Sequence, residues 1–263
     1  MEYTLLSVER SFQDRVATLT MRRPEVHNAF NRQLIEELQA AFTALGDDER
    51  LQVVVLTGAG ASFSAGADIQ MMQQAVNVSR EENVAEALRL ADLFETVASF
   101  PCPVVARVNG TALGGGLGLI ASCDLAIAVE TARFAFSEVR LGIAPAVIAP
   151  YVVRKIGEGQ ARALFVTGEQ FTAARARELG LVHVVVASQE LDAAVEQALR
   201  NLLRGGPRAL RACKQLATRV GSLTREEARA YTANLIADLR ASAEGQEGLR
   251  AFLEKRKASW VVD

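Results

Sequence analysis

The sequence predicts an α/β fold followed by a helical region, and three observations carry that prediction. Short β-branched runs alternate with longer segments of helical periodicity, the strand-like runs stop at about residue 186, and two glycine-rich segments each follow directly on a strand-like run. Alternation of this kind calls for crossover connections and for strands covered on at least one face.

Taken in order, RVATLTM (15–21), LQVVVLTG (51–58), CPVVARVNG (102–110), DLAIAV (124–129) and LVHVVV (181–186) read as strands, because β-branched residues crowd runs too short for a helix. Between the first two, Leu34, Ile35, Leu38, Phe42 and Leu45 recur at helical spacing and form one buried face; Leu88, Ala91 and Phe94 do the same before the third. Beyond residue 186 the pattern is helical over 190–203, 208–219, 225–240 and 245–257, with Gly205-Gly206-Pro207 separating the first two segments. The chain therefore divides into a core over 1–190 and a helical region over 191–263. A region of that size either packs on its own core or docks on a neighbouring subunit.

Composition excludes several classes of function. The 263 residues are half hydrophobic and carry a net charge of -2, as a compact globule does. The 29 basic and 31 acidic residues are too evenly balanced for a dedicated nucleic-acid binder. No uninterrupted apolar stretch has membrane-spanning length, and MEYTLLSVERSF lacks the basic and apolar parts of a signal peptide, so a cytoplasmic location is expected. Cys102, Cys123 and Cys213 form no C-x-x-C pair and are expected as buried, reduced thiols. His27 and His183 lack ligand spacing, and no metal site is expected.

The glycine-rich segments TGAGASFSAGAD (57–68) and NGTALGGG (109–116) match no nucleotide fingerprint. In the first, the third small residue of G-x-G-x-x-G falls on Phe63, and no G-x-x-x-x-G-K-[ST] occurs in the chain. Turns and helix caps account for most glycines. Two matched strand-to-helix junctions, however, leave backbone N–H groups open to a ligand oxygen, and a helix starting after Gly116 adds its positive dipole end. Donors from two separate loops are what an oxyanion hole needs.

FSAGADI (63–69), NGTALGGG (109–116), FAFSEVRLGIAP (134–145) and EGLRAFLEKRKASW (247–260), with RRPEVHNAFN (22–31) near the start, resemble the successive signatures of the crotonase, or enoyl-CoA hydratase/isomerase, superfamily. The resemblance implies a crotonase-like (ClpP/crotonase) fold of repeated ββα units, with a C-terminal helical region for trimerisation and assembly as a homotrimer or as a hexamer built from two trimers. It implies acyl-CoA substrates, with coenzyme A part of the substrate and no metal or redox cofactor. It places the oxyanion hole at the N–H groups of Ala67 and Gly115. CoA would be held by Val26, His27, Ala29, Ala65, Asp68 and Ile69, helped by Phe252 and Lys255 of a partner subunit. Gly114, Gly118, Arg140 and Pro145 would line the substrate pocket.

The chemistry fits the residues. Breaking or making a C–H bond beside a thioester carbonyl develops charge on oxygen, which preorganised donors stabilise. Hydratases of the superfamily use two glutamates; here the second is Glu138, whose neighbours Phe134 and Phe136 are expected to desolvate it and raise its pKa. The first falls on Gly118, which is expected to leave a small space opposite Glu138. The wall GIAPAVIAPYVVRKIG (142–157) and the run GGGLGL are similar to bacterial hydratases of leucine degradation that act on 3-methylglutaconyl-CoA. Arg140 is a candidate partner for a distal carboxylate, or else a surface ion-pair residue. The implied activity is hydration of an enoyl-CoA; the alternatives are double-bond isomerisation by a single glutamate and, more distantly, an RNA-binding role without catalysis.

Overall fold

The fold was analysed in a computed structural model, which describes residues 3–75 and 77–261. Strands alternate between two sheets. β1 (Leu6–Ser11) and β2 (Val16–Met21) form an antiparallel hairpin, followed by helix α1 (Arg32–Gly46). β3 (Val53–Gly58), β4 (Ser62–Ser64) and helices α2 (Ile69–Ala75) and α3 (Arg80–Ser99) form the next unit, then β5 (Val104–Val108), β6 (Thr111–Leu113) and α4 (Gly115–Ser122). β7 (Leu125–Val129) and β8 (Arg133–Ala135) lead into α5 (Ala149–Ile156) and α6 (Glu158–Thr167). β9 (Gln170–Thr172), α7 (Ala173–Glu178) and β10 (Val184–Val186) precede the final helices α8 (Leu191–Leu203), α9 (Pro207–Arg219), α10 (Arg225–Ala241) and α11 (Ala243–Leu253).

The larger sheet runs β1-β2-β3-β5-β7-β10 and is parallel from β2 onward; the smaller runs β4-β6-β8-β9. From β3 to β8, each ββα unit thus gives its first strand to the larger sheet and its second to the smaller, whereas the first unit keeps both strands in the larger sheet. This is the repeated ββα core that the sequence resemblance implies. Every residue of β3 is buried, as a continuous apolar run in a covered parallel sheet must be. β4, β6 and β8 lie side by side and parallel, so their carboxyl ends reach one edge together. The residues that follow those three ends are 65–68, 114–115 and 136–138.

The sequence reading missed β1, whose residues are mostly half-exposed, and the four three-residue strands of the smaller sheet. Two corrections concern the C-terminal region and the cysteines. α8 belongs to the core, because Leu191, Val195, Leu199 and Leu203 are buried with the sheets, so the open helical faces begin at Pro207 and not at residue 191. Cys102 and Cys123 are buried, but Cys213 is exposed on the outer face of α9. No helix among the described residues is long and apolar enough to cross a membrane.

Asn28 joins the first unit to the second. It is fully buried in the left-handed region (φ 54°), its Nδ2 donates to the carbonyls of Ala59 and Ser62 at 2.8 Å each, and its Oδ1 accepts from Arg23 N at 2.9 Å. Asparagine tolerates this conformation better than most residues, and its amide spans both strands of chain. Asn28→Ala is expected to cost about 2–4 kcal/mol, and Asn28→Gly about 1 kcal/mol less, because glycine removes the same hydrogen bonds without the backbone penalty. Thermal unfolding of the two variants checks this; equal losses would show that the left-handed backbone carries no strain.

Candidate active site

Two loops and one short helical turn build the site. The loop between β2 and α1 (Arg23–Phe30) lies alongside the loop after β4: Ala65 N donates to His27 O at 2.9 Å, Phe30 N to Gly66 O at 2.6 Å and Asp68 N to Phe30 O at 2.9 Å. Because a trans peptide points its carbonyl and its N–H in opposite directions, the Gly66 carbonyl turned toward Phe30 sends the Ala67 N–H the other way. Among the described residues that N–H donates to no backbone partner.

The same reasoning applies to the second loop. Gly114 sits at φ 46°, ψ -116°, a backbone conformation open to glycine, and its carbonyl accepts from Leu117 N at 2.9 Å and Gly118 N at 3.3 Å. The Gly115 N–H therefore points forward out of α4, at the positive end of the helix, and donates to no backbone partner among the described residues. A Cβ built on Gly66 would stand 3.3 Å from Gly115 N, so the two loops meet. Gly115 and Gly116 must be glycine for closeness alone: a Cβ would lie 2.9 Å from the Phe30 ring and 2.5 Å from Ser64 O.

Glu138 completes the group. It follows β8 on the 3-10 turn Ser137–Leu141, over fully buried Phe134 and Phe136, whose rings pack on Phe171 and Phe165 at 5.7 and 5.0 Å. A Cβ on Gly114 would lie 2.9 Å from Glu138 Oε1, which puts the carboxylate against the turn that presents the Gly115 N–H. Its Oε2 is buried without a hydrogen-bond partner. Burial pushes the Glu138 carboxyl above the usual carboxylate range, opposed only by its own backbone N–H.

Two expected pocket roles and one expected CoA contact are corrected. Gly118 leaves no space: a Cβ there would stand 2.8 Å from Phe94 Cζ, with Ile148 Cγ2 closer still, and the residue is fully buried. Apolar side chains occupy the position where a second carboxylate would stand. Arg140 is exposed and lays its Nε by Gly168, 3.5 Å from a Cβ built there, rather than by Gly114. Asp68 is not available to a ligand phosphate, because Oδ1 accepts from Gln70 N at 2.8 Å and Oδ2 is 2.8 Å from Arg23 Nη1. Pro145 is buried in the wall beyond Glu138.

Of the other expected CoA contacts, Val26, His27, Ala29, Ala65 and Ile69 come together on the two paired loops; Ile69 is 71% exposed, and His27 Nδ1 lies 3.0 Å from Ser62 Oγ. Phe252 and Lys255 do not join them. They line a groove of about 940 Å³ with Phe12, Arg204 and Trp260, and Phe252 is 81% exposed. Sequence reasoning missed Arg23, Asn28, Phe30, Phe94 and Ile148. Arg23, Asn28 and Phe30 lie within RRPEVHNAFN, Phe94 on the predicted helical face and Ile148 in the run 142–157, but the part each takes is defined by what it meets across the fold. No group of three or more His, Cys, Asp or Glu able to hold a metal ion occurs among the described residues.

A family model described as enoyl-CoA hydratase/isomerase matches residues 11–262. The chain is 35% identical over 263 residues to a crotonyl-CoA hydratase of Syntrophomonas wolfei, covering 99% of each. It is 34% identical over 252 residues to a 2,3-dehydroadipyl-CoA hydratase of Escherichia coli, covering 94% of this chain and 95% of the relative. The crystal structure of an enoyl-CoA hydratase from Shewanella pealeana superposes with a TM-score of 0.94 at 38% identity, over 98% of this chain and 97% of that one.

The packing around Gly118 gives a direct test. Gly118→Glu is expected to lose several kcal/mol, from overpacking and from a buried unpaired carboxylate, and to reach the soluble fraction poorly. Gly118→Ala, which adds only the Cβ, is expected to lose less than Gly118→Glu but still to melt below wild type. A soluble Gly118→Glu single variant with an unchanged Tm would show that the space exists after all.

Proposed function

The chain belongs to the enoyl-CoA hydratase/isomerase family, the crotonase superfamily, and from that premise we propose that it adds water reversibly across the 2,3 double bond of a CoA thioester with Glu138 as its proton carrier. One observation carries this reading: a buried carboxylate with an unpartnered oxygen stands against the turn whose Gly115 N–H, with that of Ala67, is left undonated. In the reaction so assigned, the two N–H groups bind the thioester oxygen. The Glu138 carboxylate takes a proton from water as the oxygen bonds to C3, and the charge passes to the thioester oxygen as an enolate. The protonated Glu138 then gives its proton to C2 and returns to the carboxylate. One acid is sufficient for this cycle, and its raised pKa suits both halves.

The filled space at Gly118 favours a second reading, isomerisation, in which Glu138 carries one proton between two carbons and no water is activated. For the acyl group we propose a short branched or dicarboxylic enoyl chain such as 3-methylglutaconyl, on the sequence resemblance and on the relative named for 2,3-dehydroadipyl-CoA. A panel of enoyl-CoA thioesters analysed by mass separates the readings. Water gain means hydration, and a moved double bond at constant mass means isomerisation. Faster turnover of crotonyl-CoA than of 3-methylglutaconyl-CoA would remove the proposed acyl preference.

Glu138→Gln is expected to lower kcat by about 10²–10⁴-fold in this assay. It should also stabilise the fold. The folded-state pKa is raised, so the contribution of Glu138 to stability is fully present below the unfolded carboxylate pKa and lost as pH rises through the raised value. At neutral pH the variant should therefore melt above wild type, with the difference vanishing near pH 4. An inactive variant with no gain in Tm would mean that the carboxylate is not desolvated.

We propose further that the chain assembles as trimers, alone or paired into hexamers, through the helices beyond Pro207. The single chain exposes 14073 Å², against about 11,000 Å² expected for a monomer of this mass. α10 buries no residue, and Ile236, Leu249, Phe252 and Leu253 are exposed. Phe252 and Lys255 can then reach a neighbour's CoA. Removing residues 247–263 is expected to weaken assembly in sedimentation and to raise KM for the thioester several-fold; an unchanged KM in an intact oligomer would count against that placement.

A further inference from the structure

Resting on the oxyanion reading above, we propose that Arg23 is a positioning residue that aims the Ala67 N–H by clamping the two loops with a buried ion pair to Asp68. Arg23 Nη1 donates to Ala29 O at 2.6 Å and lies 2.8 Å from Asp68 Oδ2, and the two side chains are only 12% and 7% exposed. Ala29 precedes Phe30 and Asp68 follows Ala67, and Phe30 and Ala67 form a parallel bridge. One guanidinium nitrogen therefore holds both loops next to the peptide unit whose N–H is left undonated.

The rest of the arrangement makes the clamp stiff. At its base, Arg23 N donates to Asn28 Oδ1 at 2.9 Å and Arg23 O accepts from Asn28 N at 2.8 Å. At its tip, the second Asp68 oxygen accepts from Gln70 N, so the carboxylate cannot rotate without freeing the first turn of α2. Slippage of the loops by a fraction of an ångström would turn the Gly66 carbonyl and, through the planar peptide, the Ala67 N–H. Burying two charges adds little net stability, since apolar residues of similar size commonly serve as well. A desolvated pair at this point is better explained by geometry, which a catalytic donor requires to within about half an ångström.

The paired replacement Arg23→Met with Asp68→Leu separates aim from stability. It is expected to keep Tm and the KM for the thioester within threefold, while kcat falls 10- to 100-fold and the infrared carbonyl shift of bound butyryl-CoA shrinks toward its value in water. Arg23→Lys, which keeps the charge but not the fork, should show an intermediate loss of both kcat and carbonyl shift and serves if the double variant fails to fold. Full kcat and an unchanged carbonyl shift in either folded variant would overturn the role of Arg23. A wild-type enzyme that does not shift the carbonyl of butyryl-CoA would instead overturn the oxyanion reading, and the proposal with it.

Discussion

The site depends on the planarity of two peptide units. In the Gly66–Ala67 and Gly114–Gly115 peptides the carbonyl is committed, to Phe30 in one case and to the first turn of α4 in the other. Each commitment fixes the direction of the N–H across the same rigid plane. Ala67 and Gly115 are only half-buried, so their two N–H groups, without a backbone partner among the described residues, are left free to donate at adjoining loops. The alternation of strands between two sheets supplies that arrangement. Three parallel neighbours of the smaller sheet end at one edge, and their next residues bring Ala67, Gly115 and Glu138 together.

The acid is held by contrast with the donors. Glu138 sits on a bed of phenylalanines, against a glycine turn, with one oxygen lacking any partner. Such a group weakens the fold at neutral pH, because burial holds its pKa above the usual carboxylate range. The apolar packing of Phe94 and Ile148 over Gly118 leaves it without a second acid at its side. In the reaction proposed above, proton transfer then rests on Glu138 alone.

Much of this was legible in the sequence, and what was not has physical causes. The five strand runs all became strands of the larger sheet; β3 and β7 show the apolar run of a covered parallel strand, while β2 is interrupted by Thr18 and Thr20 and β5 by Arg107. Glu138 and the glycine loops could be placed because their motifs are local. The three-residue strands carry too little periodicity to be seen. Gly118 was read as empty space because a sequence shows the missing side chain but not the neighbours that fill its place. Arg23 and Asp68 are far apart in the chain and individually ordinary; only the parallel pairing of their loops makes them a unit.

The pairing pattern of the larger sheet also bears on how the chain is made. Val54 pairs with Val104, and Ile127 with Val184, so beyond the local β1–β2 hairpin this sheet cannot form until distant segments have met. Loop closure must come before the contacts that reward it, which makes such topologies slow to fold. In that interval VVVLTG is a bare β-forming run without charge or proline, the composition most prone to pair with another molecule, while its partner VVARV carries the single charge of Arg107. The yield of native enzyme on synthesis is therefore governed by temperature and chain concentration during this delay, and not only by the stability of the finished fold.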